Sequence, residues 1–162
     1  MKKSKLNNSI KERYRRGVGM MIINKKKEIF LGQRFDKDKS AWQMPQGGIE
    51  NGESPRNAGL REMKEEIGTN NVKLIGEMDN WLNYDIPQKL SSKLWDGKYR
   101  GQTQKWLAFR FLGNDEEINI DTEDPEFKEW KWEEHKNLVN LAVPFKKDIY
   151  KKIINEFSHL FI

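Results

Sequence analysis

Apolar residues fall along this chain in short runs of strand length, and two stretches carry helical spacing instead. Gly17 to Asn24 is the first run, and Glu28 to Leu31 follows it after the polar turn Asn24–Lys27; the pattern predicts a hairpin or two sequential strands. Val72 to Met78 alternates loosely and predicts another strand. Lys105 to Leu112 is dense in aromatic and apolar residues and predicts a buried strand, and Glu129 to Trp132 a short one. Helical spacing appears first at Leu60, Met63 and Ile67. Ser54 is a good N-cap there, Pro55 suits the first helical position, and Gly68 stands where a left-handed C-cap is expected. The second helix is predicted from about Pro144 to Phe157. Phe145, Ile149, Ile153 and Phe157 form its apolar stripe, with Lys146, Lys147, Lys151 and Lys152 off it. Strands and helices mix without strict βαβ alternation, so the expected class is α/β (α+β), a mixed sheet flanked by helices.

Length and composition narrow this picture. The 162 residues suffice for one domain with a real core, expected over residues 14–162, with residues 1–13 a polar lead-in. That lead-in has basic residues but no apolar segment after them, so it is not a secretory signal; a nucleic-acid-contacting arm is an alternative use for it. No run approaches the roughly 20 apolar residues of a membrane helix. The absence of cysteine excludes disulfides, zinc–thiolate sites and cysteine nucleophiles, and suits a reducing cytoplasm. The formal net charge of +5 favours polyanionic partners such as nucleotides or RNA, although a lysine-rich surface kept for solubility explains it equally well.

The candidate chemistry lies between Gly47 and Thr69. Glu62, Glu65 and Glu66 share one face of the first predicted helix, roughly opposite its apolar residues. Alone, such a cluster is most often a solvated surface. A hard cation such as Mg²⁺ would use it otherwise, taking carboxylate, phosphate and water oxygens in near-octahedral array. Gly47 and Gly48 are expected to turn the backbone tightly and bring a carbonyl close to that cation. Glu53, near the helix start, can pair with Arg61 about two turns along.

Gly47, Glu53, Arg61–Glu62, Glu65–Glu66 and Gly68 follow one another at fixed spacing. The stretch resembles the Nudix hydrolase box GX5EX7REUXEEXGU, complete except at its last position, where Thr69 replaces an aliphatic residue. The resemblance implies the Nudix fold, a mixed β-sheet sandwiched between helices, and cleavage of phosphoanhydride bonds by a metal-activated water with Mg²⁺ or Mn²⁺. It assigns Glu53, Arg61, Glu62, Glu65 and Glu66 to catalysis and Gly47, Glu62, Glu65 and Glu66 to the metal, leaving open which glutamate acts as base.

Segments outside the box extend the resemblance over nearly the whole chain. Tyr14–Gly19, Trp42–Gly48, Asn80–Tyr84, Gln104–Trp106, Asp124–Phe127 and Pro144–Asp148 resemble the bacterial RNA pyrophosphohydrolase family. That family is related to dinucleoside polyphosphate hydrolases and to invasion-associated proteins. The resemblance implies removal of pyrophosphate from the 5′-triphosphate end of RNA, which starts mRNA decay. It adds Glu126 to the metal set, places Arg15 and Phe145 beside a base, and places Arg34, Tyr84 and Lys146 on phosphates or the RNA backbone. Ordinary readings stand beside these: Phe145 opens an apolar stripe and could be core, Tyr84 could be packing, and Arg15, Arg34, Lys146 and Glu126 could be surface charges. Trp42, Trp81 and Trp106 read as core or pocket wall, and His135 and His159 carry no motif. Two other functions use the same residues: hydrolysis of diadenosine tetra- or pentaphosphate, and RNA or nucleotide binding without turnover. Oligomeric state is not legible.

Overall fold

The structure is a computed structural model that describes residues 13–35, 40–91 and 93–162. Nearly all of the lead-in, residues 1–12, and with it the proposed nucleic-acid arm, lies outside the described residues.

Strands β1 (Tyr14–Ile23) and β6 (Gly101–Phe111) form the centre, paired in parallel from Tyr14↔Gly101 to Ile23↔Arg110. Around them lie β2 (Glu28–Arg34), β3 (Gln46–Gly48), β4 (Val72–Glu77), β5 (Leu82–Asp85) and β7 (Phe127–Glu134). The main order is β4-β6-β1-β2-β7. Each central strand changes antiparallel neighbour partway along. β1 pairs with β3 through Gly17↔Gly48 to Gly19↔Gln46, and with β2 only at Ile23↔Ile29. β6 pairs with β5 at its start and with β4 towards its end. The sheet therefore splays at one end, where β3 and β5 replace β2 and β4.

Both faces of the sheet are covered, which explains the near-continuous apolar run in β1. Val18, Met20 and Ile22 pack with Leu107 and Phe109 against Ala58, Met63 and Ile67 of helix α1 (Pro55–Ile67). Met21 and Ile23 face the other way with Trp106 and Ala108, against Ile149, Tyr150 and Ile153 of helix α2 (Lys147–Glu156). Trp106 is fully buried and meets Tyr150 edge-on at 6.0 Å. The expected mixed sheet between helices is the architecture found. No helix among the described residues is long and apolar enough to cross a membrane.

Helix α1 follows its local signals. The Ser54 hydroxyl accepts from the Asn57 N–H at 3.1 Å, Pro55 opens the helix, and Gly68 closes it at φ 79°. The second helix starts later than its stripe suggests. Pro144–Lys146 form a 3-10 turn before α2 begins, so Ile149, Ile153 and Phe157 are buried in line while Phe145 turns aside. β3 and β5 were not expected: Gln46–Gly48 has no strand propensity of its own and is held by its ladder to β1.

Candidate functional site

Arg61 organises the acidic face of α1. Its Nε and Nη2 donate to Glu53 Oε2 and Oε1 at 2.8 and 2.9 Å, a two-pronged pair that holds the Glu53 carboxyl down at about 2. Nη2 also donates to the Gly48 carbonyl at 2.9 Å, which ties the β3 strand to the helix. Nη1 reaches Glu62 Oε1 at 2.9 Å and Glu65 Oε2 at 3.4 Å. The expected Glu53–Arg61 brace is present.

The three glutamates differ in environment. Glu65 is exposed, Glu62 is half-buried and Glu66 is buried. Burial raises the Glu62 carboxyl, with Arg61 opposing. Burial raises the Glu66 carboxyl well above its ordinary range, and the charges of Glu126 and Glu62 push it further. Glu66 Oε2 is buried without a hydrogen-bond partner. Glu126 stands across the cleft in an ion pair with Arg34 at 3.1 Å. Glu62, Glu65, Glu66, Glu123, Asp124 and Glu126 thus line one open acidic cleft.

Gly47 and Gly48 lie in strand β3, and neither has positive φ, so the expected tight turn is not their role. Their lack of a side chain makes room. A Cβ on Gly47 would overlap the Glu62 carboxyl group, and one on Gly48 would overlap the Arg15 guanidinium.

An oxygen-only donor set that includes a buried carboxyl oxygen without a hydrogen-bond partner fits a hard divalent cation. Among the described residues, no group of three Asp, Glu or His side chains is already gathered closely enough to hold a metal ion. Arginines occupy the carboxylates instead: Arg61 on Glu62 and Glu65, Arg34 on Glu126.

Beside the acidic cleft is a cavity of about 270 Å³, lined by Trp42, Tyr84, Leu94, Trp95 and Phe145, with Arg34 and Lys146 among its polar residues. Arg34 and Lys146 also act electrostatically on Glu66, so the two spaces meet at these cations. Phe145 stacks on Tyr84 with ring centroids 6.1 Å apart. Tyr84 is buried, its hydroxyl accepts from Gln46 Nε2 at 3.1 Å, and desolvation pushes its pKa to about 12, so it stays neutral. Lys146 is not a surface lysine as its place off the stripe suggests. It is buried and donates to Gln43 Oε1 at 3.1 Å. Arg15 stacks over the Trp95 ring, 5.5 Å from its centroid.

Glu62, Glu65, Glu66 and Glu126 line the acidic cleft, and Arg34, Tyr84, Phe145 and Lys146 line the cavity; Glu53 and Arg61 brace α1 against β3, where Gly47 lies against Glu62, and Arg15 lies between Gly48 and Trp95. Trp42 and Trp106 divide as wall and core, while Trp81 is neither: it is half-buried outside both core clusters and the cavity, with the Arg16 guanidinium 5.0 Å from its ring centroid. Gln43, Gln46 and Trp95 were not singled out individually. Two glutamines within Trp42–Gly48 had only their place in that segment as a signal, and Trp95 is an aromatic in a polar loop.

The NUDIX domain family matches residues 13–155. Among curated relatives, the chain is 56% identical over 149 residues to a protein of Orientia tsutsugamushi (strain Boryong) named RNA pyrophosphohydrolase, covering 92% of each chain. It is 50% identical over 145 residues to one of the same name from Rhodospirillum rubrum, covering 90% of this chain and 87% of the relative. Among solved structures, the E. coli dihydroneopterin triphosphate pyrophosphohydrolase matches with a TM-score of 0.66 at 20% identity, covering 88% of this chain and 98% of that one, which shows a shared fold.

Proposed function

The chain belongs to the NUDIX family, and from that premise we propose that it is an RNA pyrophosphohydrolase, removing pyrophosphate from the 5′-triphosphate end of RNA and so starting mRNA decay in the cytoplasm. The observation that carries this reading is the junction at Glu66. A buried carboxyl group with one oxygen lacking a partner, in an acidic cleft, adjoins an aromatic cavity across two cations, Arg34 and Lys146. A site of this kind suits a nucleotide whose phosphate chain runs from the cavity into the acidic cleft. The name shared by the Orientia and Rhodospirillum relatives favours RNA over dinucleoside polyphosphates as the substrate.

A divalent cation, Mg²⁺ or Mn²⁺, held by Glu62, Glu65, Glu66, Glu126 and the Gly47 carbonyl, would neutralise phosphate charge and lower the pKa of the attacking water. The chain's own residues do the rest. Arg61 and Glu53 fix the β3 strand and α1 relative to each other. Arg34 and Lys146 hold the phosphate chain in line, and their cost of ordering is partly met in advance by Glu126 and Gln43. Phe145 and Arg15 flank a base, with Tyr84 behind Phe145. A carboxylate of the cleft takes the proton released when water adds to a phosphorus of the α–β anhydride, and the bond from that phosphorus to the bridging oxygen breaks, so that pyrophosphate leaves and a 5′-monophosphate remains. Retention of Glu53, Arg61, Glu62, Glu65 and Glu66 together argues against a binding module without turnover.

Purified protein with Mg²⁺ or Mn²⁺ is expected to release pyrophosphate from 5′-triphosphorylated RNA faster than it cleaves diadenosine tetraphosphate. Failure to release it would sink the proposal. ¹⁸O-labelled water would show which phosphorus is attacked. Glu65→Gln with Glu66→Gln should abolish turnover with the fold intact, and unchanged activity would refute the metal assignment.

A further inference from the structure

Beside the nucleotide cavity lies a second cleft that the chemistry above does not use. It runs between the start of β1 and the chain before β6, with a volume of about 650 Å³, and its walls include Tyr14, Arg15, Arg16, Glu50, Lys98 and Tyr99. Arg15 joins the two spaces. Its guanidinium lies over Gly48 and over the ring of Trp95, which is itself a wall of the cavity. The cleft therefore begins where the cavity ends.

Its charge is one-sided. Arg15, Arg16 and Lys98 face a single carboxylate, Glu50, which lies 4.0 Å from Arg61. Among the described residues no ion pair engages Arg15, Arg16 or Lys98. Each lies on an aromatic ring instead: Arg15 on Trp95 at 5.5 Å, Arg16 on Trp81 at 5.0 Å, and Lys98 on Tyr99 at 5.4 Å. Arg100 lies over Tyr14 at 5.4 Å, and Asp85 fixes that pair by accepting from both the Tyr14 hydroxyl at 2.7 Å and Arg100 Nε at 3.0 Å.

Lysines and arginines kept for solubility extend into water. These are held over rings, 5.0–5.5 Å from the ring centroids, which restricts their side chains before anything binds. A ring, unlike a carboxylate, leaves the cation's full charge available to an outside anion. Cations interleaved with aromatic faces suit a flexible chain that alternates phosphates and bases.

We propose that this cleft receives the single-stranded RNA on the 3′ side of the nucleotides seated in the cavity. The inference rests on the RNA-end reading above and deepens it. A dinucleoside polyphosphate has no chain to place there, so the cleft favours substrates with a body.

The test is binding without turnover. Wild type and the Arg16→Ala/Lys98→Ala double variant are titrated, in EDTA, with a fluorescent 5′-monophosphorylated 12-nucleotide RNA and with a 5′-monophosphorylated dinucleotide. Wild type should bind the 12-mer more tightly than the dinucleotide. The double variant should bind the dinucleotide within about twofold of wild type. For the 12-mer, its log–log salt slope should shrink by about 1.4, at roughly 0.7 for each single-strand phosphate that the variant no longer neutralises. Arg16→Lys/Lys98→Arg should keep the slope. An unchanged slope in the alanine variant, an equal loss on the dinucleotide, or equal competition by an acidic peptide of matching charge would each overturn the proposal. So would a wild type that binds both RNAs equally. Absence of pyrophosphate release from triphosphorylated RNA by wild type with Mg²⁺ would overturn the RNA-end reading instead, and the binding readout would still decide the cleft.

Discussion

Glu66→Gln should stabilise the metal-free protein while destroying its response to metal. The carboxyl is buried, one oxygen has no partner, and burial together with Glu126 and Glu62 raises its pKa well above the ordinary value. Such a group keeps its proton in the fold at pH values where the unfolded chain has lost it. The folded state then binds more protons, so its stability falls as pH rises from the unfolded value towards the folded one. Each pH unit in that window costs about 1.36 kcal/mol. Between pH 5.5 and 7.5 the loss is at most ~2.7 kcal/mol. For a chain of this length that is about 5–11 °C in Tm. Glutamine keeps the volume and removes the titration. In EDTA, the variant should match wild type only near pH 4, below the unfolded value, and exceed it increasingly up to pH 7.5, with a shallower profile that retains the contribution of Glu62. Added Mg²⁺ at about 100 times its Kd should raise wild type by ~2.7 kcal/mol and the variant by far less. Thermal melts across pH, with and without metal, measure both effects. Superimposable pH profiles in EDTA, or equal stabilisation of both proteins by metal, would refute the reasoning.

Other substitutions probe the rest of the site. Gly47→Ala places a methyl group on the Glu62 carboxyl. It should lower kcat/KM about 100-fold through that displacement, with the circular dichroism spectrum retained. Arg61→Lys keeps the charge but cannot hold Glu53, Gly48 and Glu62 together. Activity should fall at least about tenfold, and full activity would show that the forked geometry is unnecessary. Phe145→Ala removes a stacking face worth about 1–3 kcal/mol per base, so KM for RNA should rise about tenfold or more while kcat changes little. A fall in kcat with KM unchanged would return Phe145 to a core role.

What the sequence disclosed depended on whether the cause was local. Helix α1 was legible from end to end because Ser54, Pro55 and Gly68 act within a turn of where they stand. The acidic box was legible for the same reason. Its internal differences were not: the step from Glu65 to Glu66 turns the helix by about 100°, which leaves one carboxyl group in solvent and buries the other at the wall of the acidic cleft. Spacing alone groups them together. The parallel pairing of β1 with β6 joins segments that have no mutual mark in the sequence. Strands β3 and β5 exist because those central partners offer free edges where the sheet splays. Lys146 was hidden for a related reason, since the glutamine that receives it is 103 residues away. Trp95 and Asp96 take positive φ, at 54° each, in a loop whose sequence carries no pattern of its own.

That loop is tied at its base. Asp85 pairs with Gly101 across the ladder, the Ile86 N–H bonds the Arg100 carbonyl at 2.9 Å, and Asp85 binds both Arg100 and Tyr14. Between the two ends of this stem lie Leu90, Leu94 and Trp95 of the cavity and Lys98 and Tyr99 of the basic cleft, with Ile86 in the core and Leu94 and Trp95 packed against it. Helix α1, with its carboxylates, belongs to a different part of the chain. Changes in that segment therefore fall first on the walls of the cavity and of the basic cleft, in a part of the chain separate from the glutamates of α1. Selection can retune what the enzyme grips while the chemistry is inherited untouched.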